Sequence, residues 1–124
     1  MSTLGPIGQI ALTISDLERA VRFYRDDLGL PLLFQAPPGL AFFKCGDVRL
    51  MLSTPEGDYK PGPGATIYFK VGAIDAVVTE LKSRQVSFVD EPHLIARMPD
   101  HELWMCFLRD PDGNSLALME ERRG

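Results

Sequence analysis

The side chains able to do acid–base or metal chemistry are few, and most of them share one stretch. His93 and His101, the chain's two histidines, lie within 90–102 together with Glu91 and Asp100. Histidine titrates near neutrality and a carboxylate can orient it, so this group suggests a general base or a displaced metal site. Seven residues, Pro99 among them, stand between the two rings, a spacing that matches no zinc template. A ligand-contacting role for His101, beside the strand that carries Trp104, is the preferred reading, and His93 is given no role. Cys45 and Cys106 have neither metal spacing nor a histidine close in sequence, and read as reduced, half-buried thiols. Arg49, Lys70 and Arg97 offer charge to an anionic ligand, but charges on strands are ordinarily solvated or guard a sheet edge.

Bulk properties narrow the functions further. A chain of 124 residues has the length of one domain, enough to bury about two thirds of its unfolded surface without disulfides or a structural metal. Thirteen basic residues against 17 acidic ones give a net charge of −4. The longest basic run is Arg122-Arg123, so nucleic acid is not an expected partner. Residues 1–6 have neither a basic start nor an apolar core, and no apolar run reaches membrane-spanning length. The expectation is a soluble, cytoplasmic protein that associates with no membrane.

The elements that must position these side chains come in two similar sets. From Gln9 to Ile14 apolar residues alternate, with Ile10, Leu12 and Ile14 on one face of a half-buried strand. Ser15 or Asp16 then caps a helix whose apolar positions are Leu17, Ala20, Val21, Tyr24 and Leu28, and Gly29 stops it. Residues 31–38 read as an edge strand ending at a proline pair. Leu40 to Cys45 and Val48 to Ser53 form a hairpin through Gly46-Asp47, pairing Cys45 with Val48, Phe43 with Leu50 and Phe42 with Met51. Residues 54–64, rich in proline and glycine, read as a linker. Beyond it a shift of 57 residues lays Thr66 to Val71 on the first strand, and Ile74, Val77, Val78 and Leu81 on the first helix. His93 to Met98, Leu103 to Arg109 and Ser115 to Glu120 complete the second set, with a turn at 110–113.

Two segments carry a resemblance to a known family: Asp16-Leu-Glu-Arg-Ala-Val-Arg-Phe-Tyr-Arg-Asp-Asp-Leu-Gly-Leu30 after the first strand, and Arg109-Asp-Pro-Asp-Gly-Asn114 before the last. With them the whole chain resembles the vicinal oxygen chelate superfamily of glyoxalase I, fosfomycin and bleomycin resistance proteins and extradiol dioxygenases. The resemblance implies an α+β fold in which paired βαβββ modules set curved, mostly antiparallel sheets around a cleft, with helices outside. Here it implies one glyoxalase-like domain over 1–124, with module one at about 5–53, the linker at 54–64 and module two at about 65–120. It also implies a homodimer, with pairing of modules within one chain or exchange between two both open.

In metal-using relatives four side chains of the inner face hold a divalent ion: His or Gln on the first strand, Glu on the fourth, His on the fifth and Glu on the eighth. Those places fall here on Gln9, Met51, Thr66 and Ala117. An amide, a thioether, a hydroxyl and a methyl include no anionic ligand and no imidazole, so no metal and no cofactor are expected. Gln9, Thr13, Phe42, Met51, Thr66 and Tyr68 are expected to line the inner face as an apolar, aromatic floor with a few polar groups. Trp104 and Cys106 are expected on the face of Ala117. The expected ligand-contacting set is Gln9, Phe42, Met51, Thr66, Tyr68, His101, Trp104 and Ala117, with no catalytic residue assigned. The function expected is metal-free binding or sequestration of a small molecule, as in bleomycin resistance proteins. The alternatives are a lyase, isomerase or dioxygenase using a displaced metal or acid–base residues, and a regulatory subunit with a vestigial cleft.

Overall fold

The computed structural model describes residues 7–54 and 65–123. Most of the expected linker lies outside them. The chain divides into two compact units, one on each side of that linker.

In the first unit β1 (Gln9–Thr13) leads into α1 (Leu17–Val21), which continues as a π-helical stretch over Arg22–Asp27. Asp16, not Ser15, is the N-cap: its carboxylate accepts from the Arg19 backbone N–H at 3.1 Å, while Ser15 Oγ accepts from the Arg19 side chain. The π winding departs from the regular helix expected through Leu28. There the Leu28 N–H reaches back five residues to the Phe23 carbonyl at 2.9 Å, and the adjacent Phe23 and Tyr24 are both buried, ring edge to ring face. Gly29 has φ of +79°, a left-handed conformation that favours glycine, and ends the helix where expected.

Three strands follow: β2 (Leu32–Ala36), β3 (Leu40–Cys45) and β4 (Val48–Ser53). The sheet order is β1-β4-β3-β2, with β1 parallel to β4 and the other pairs antiparallel. β2 is an edge strand, as expected, with Pro31 before it and Pro37-Pro38 after it. The β3–β4 hairpin has the expected register, Cys45 with Val48, Phe43 with Leu50 and Phe42 with Met51. Ile14, Ala41, Phe43, Leu50 and Leu52 are buried with the helix residues Ala20, Val21 and Tyr24, and the Tyr24 and Phe43 rings lie 5.9 Å apart.

The second unit repeats this plan. β5 (Ile67–Lys70), α2 (Ile74–Ser83), β6 (His93–Arg97), β7 (Glu102–Arg109) and β8 (Ser115–Arg122) give the sheet order β5-β8-β7-β6, with β5 parallel to β8. Ile74, Val78 and Leu81 of α2 are buried, as are Cys106, Leu108, Leu116 and Leu118 of the sheet. Ala73 supplies no side-chain cap for α2. The Ile74 N–H instead donates to Glu120 Oε1 on β8 at 2.8 Å. Two helices and two four-stranded mixed sheets make the α+β architecture expected from the repeat.

The turn from β7 to β8 is held by one carboxylate. Asp110, 5% exposed, accepts from the backbone N–H groups of Asp112 and Asn114 and from the Asn114 amide, at 2.8–2.9 Å. Arg109 pairs with Ser115 across this turn, and that closure sets the register of every residue behind it.

Candidate functional site

Each sheet gives one face to its own helix, and the register tells which side chains stand on the other. In the first unit Gln9 pairs with Arg49, Ala11 with Met51, and Met51 with Phe42. Directly paired residues share a face, so Gln9, Phe42 and Met51 stand together, as expected. Gln9 Nε2 lies 3.8 Å from the Met51 thioether, and Gln9 Oε1 accepts from Arg49 Nε at 2.8 Å. The Arg49 guanidinium sits 5.3 Å from the Phe42 ring centroid, and Phe34 of β2 stacks on Phe42 at 4.6 Å and 27°. The sequence does not single out Phe34, and it leaves Arg49 as a charge that meets an anionic ligand, is solvated or guards a sheet edge. Yet β4 is an internal strand, flanked by β1 and β3, so edge protection does not account for Arg49.

In the second unit Tyr68 pairs with Ala117, and Ala117 with Phe107; the Tyr68 and Phe107 rings meet edge to face at 6.1 Å. Thr66 precedes β5 and donates its hydroxyl hydrogen to Ser115 Oγ at 3.1 Å. Tyr68 and Ala117 therefore share a face. Trp104 and Cys106 do not join them, and this corrects the expectation. Trp104 pairs with Glu120 and Cys106 with Leu118, so both lie on the opposite face, and Phe107 takes the place expected for Trp104. The cause is the turn: a turn at 110–113 sets Arg109 opposite Asn114, whereas Arg109 pairs with Ser115, and that one step inverts the strand. The Trp104 indole lies under the Arg122 guanidinium at 4.3 Å and donates to Glu102 Oε1. Cys106 is fully buried rather than half-buried, and burial, with the nearby Asp90 and Glu91 charges, pushes its thiol up to about 11. Cys45 is half-buried as expected, and burial raises its pKa as well. Neither is an activated thiolate.

His101 lies in the β6–β7 turn with its Nδ1 2.8 Å from Asp100 Oδ1, its side chain only 13% exposed. It borders an open depression of about 600 Å³ that Arg97, Glu102, Arg122 and Arg123 also line. Arg97 pairs with Glu102, Arg122 with Asp75 and Glu120, and Arg123 with Asp100 and Glu121. The charges neutralise one another in a salt-bridge network. The bonds from Arg123, then His101, bring the Asp100 carboxyl down to about 2. A carboxylate depressed on folding stabilises the native state above its unfolded pKa, and that contribution is lost as pH falls through the folded value. Asp100→Asn is therefore expected to lower the melting temperature near neutral pH, with the difference from wild type closing between about pH 4 and about pH 2. Paired melts across that range check it. His93 stands apart, its Nδ1 2.8 Å from the Glu91 carbonyl and 3.8 Å from Asp90.

The four places that the resemblance gives to metal ligands offer poor donors. Gln9 Oε1 is already held by a cationic guanidinium, Met51 brings a soft thioether, Thr66 a neutral hydroxyl, and Ala117 a methyl. This set does not fit a hard divalent ion. Among the described residues no three His, Cys, Asp or Glu side chains group together to hold a metal.

Two βαβββ units with identical strand order and parallel first and last strands define a paired-module protein of the glyoxalase type. The chain belongs to the glyoxalase/bleomycin resistance protein/dioxygenase superfamily, whose model matches residues 6–118. It is 28% identical over 126 residues to the uncharacterized protein YraH of Bacillus subtilis, a match covering 89% of this chain and 94% of that one. A glyoxalase family protein from Bacillus anthracis superposes with a TM-score of 0.79 at 23% identity, over 98% of this chain and 99% of the other. Lactoylglutathione lyase from Agrobacterium tumefaciens superposes with a TM-score of 0.71 at 28% identity, over 96% of each chain. No helix of the described residues is long and apolar enough to cross a membrane.

Proposed function

We propose that this member of the superfamily binds or sequesters a small molecule without the divalent ion used by its metal-dependent relatives, and does so as a homodimer. The observation that carries the reading is the state of Gln9. It is the one acceptable ligand of the four, and its oxygen is bonded to Arg49 Nε at 2.8 Å. An oxygen facing a guanidinium is poorly placed to receive a second cation. Binding is supported by the residues that share the helix-free faces. Gln9, Phe42 and Met51 in one unit, and Thr66, Tyr68 and Ala117 in the other, combine apolar and aromatic surface with a few hydrogen-bonding groups. His101 remains a candidate contact through its place in the depression.

Purified protein is expected to contain far less than one Zn, Ni, Fe or Mn per chain by elemental analysis. Thermal-shift screening is expected to show stabilisation by organic ligands and none by these ions, and light scattering a mass of two chains. One bound ion per chain, with melting raised by that ion, would sink the metal-free reading.

A further inference from the structure

We propose that Arg49 and Lys44, with Phe42 and Phe34, form a subsite for an aromatic carboxylate. The proposal rests on the small-molecule-binding reading and names the class of ligand.

Lys44 on β3 is directly opposite Arg49 on β4, and both stand on the face of Phe42 and Met51. Like charges directly opposite in an antiparallel pair repel one another. Neither forms an ion pair among the described residues, in a chain of net charge −4; Arg22 and Arg109 form none either, but neither of those stands opposite a second cation. Two exposed cations thus face each other on neighbouring internal strands, and a carboxylate between them would relieve their repulsion.

The guanidinium is also held ready. Gln9 Oε1 takes Nε without neutralising the charge, and the Phe42 ring supports the planar group from one side. Neither Nη group makes a hydrogen bond among the described residues, so the end of the fork is open to both oxygens of a carboxylate. Preorganisation of this kind lowers the entropy cost of binding.

The ring side of the ligand follows from the next residues along the face. Phe34, 49% exposed, is stacked on Phe42 and presents apolar area to water beside the cations. A planar ring lying along Phe42 and Phe34 would remove that area from water while its carboxylate reached Arg49 and Lys44.

The test is calorimetric titration of the full chain with 2-naphthoate, its neutral isostere 2-naphthylmethanol, and inorganic phosphate, alongside a thermal-shift fragment panel. Wild type is expected to bind 2-naphthoate in a saturable way and to bind the alcohol and phosphate at least about 10-fold more weakly, a charged hydrogen bond being worth roughly that much or more. Arg49→Gln is expected to weaken 2-naphthoate about 10- to 100-fold, and Phe42→Leu to weaken it as well. Arg49 is exposed, and an unchanged melting temperature would show that the variant is folded. Equal 2-naphthoate affinity in wild type and Arg49→Gln would overturn the subsite and leave the binding reading standing. So would panel hits without 2-naphthoate binding. Phosphate binding as tightly as 2-naphthoate would overturn the aromatic part. No ligand from the panel at all would overturn both readings.

Discussion

Phe43→Ala is expected to cost about 3–5 kcal/mol of stability, the usual penalty for emptying a fully buried phenylalanine site. That is a large share of a total on the order of 5–15 kcal/mol. Phe43 has no solvent exposure, sits on the internal strand β3 and packs against the Tyr24 ring, so the cavity would open between sheet and helix. Its neighbour Phe42 points the other way, half-buried, with Arg49 over its ring and Phe34 stacked on it. Phe42→Ala is expected to lose less, about 0.5–1.5 kcal/mol for the aromatic pair together with the burial of a ring that is only partly out of water. Urea unfolding of the two variants measures the contrast. Equal losses would mean that the hairpin register is wrong and that the face assigned to ligand contact is core.

Asp110→Ala is expected to destabilise by about 2–4 kcal/mol, because it strips an acceptor from several donors at a buried turn, each unsatisfied group costing about 1–3 kcal/mol. Two are backbone N–H groups and one is the Asn114 amide. Asp110→Asn keeps one acceptor oxygen and turns the other side of the group into a donor facing Asn114, so an intermediate loss is expected. Chemical denaturation measures both losses, and hydrogen exchange at Asp112 and Asn114 shows whether they arise at the turn. Unchanged protection of those two amides in Asp110→Ala would remove this residue from the role assigned to it.

These two sites also show why one half of the candidate surface was legible in the sequence and part of the other was not. At β3–β4 the turn is the dipeptide Gly46-Asp47, and so short a turn leaves one register; the sharing of a face by Phe42 and Met51 follows by counting. At β7–β8 the turn has five residues between Arg109 and Ser115, and its closure depends on where the Asp110 carboxylate bonds. Counting cannot supply that, and the miscount placed Trp104 beside Ala117. Arg49 is a different case. Its residue type was noticed, but its meaning depends on strand order, and a parallel β1–β4 pairing that makes β4 internal leaves no local mark on the residues around Arg49. The helices were read correctly in position because their apolar spacing is local, whereas the π winding over Arg22–Asp27 breaks no apolar spacing and was invisible.

The two helices, so similar in sequence pattern, differ in what completes them. α1 closes its first turn with Asp16, three residues from the N–H it satisfies. α2 borrows the carboxylate of Glu120, 46 residues along the chain, which Arg122 grips from its other oxygen while also holding Asp75 in the first turn of the same helix. The start of α2 is thus sealed only when the last strand is in place. Fraying at the end of β8 would uncap the start of α2, while the first helix, capped by its own Asp16, does not depend on a distant strand.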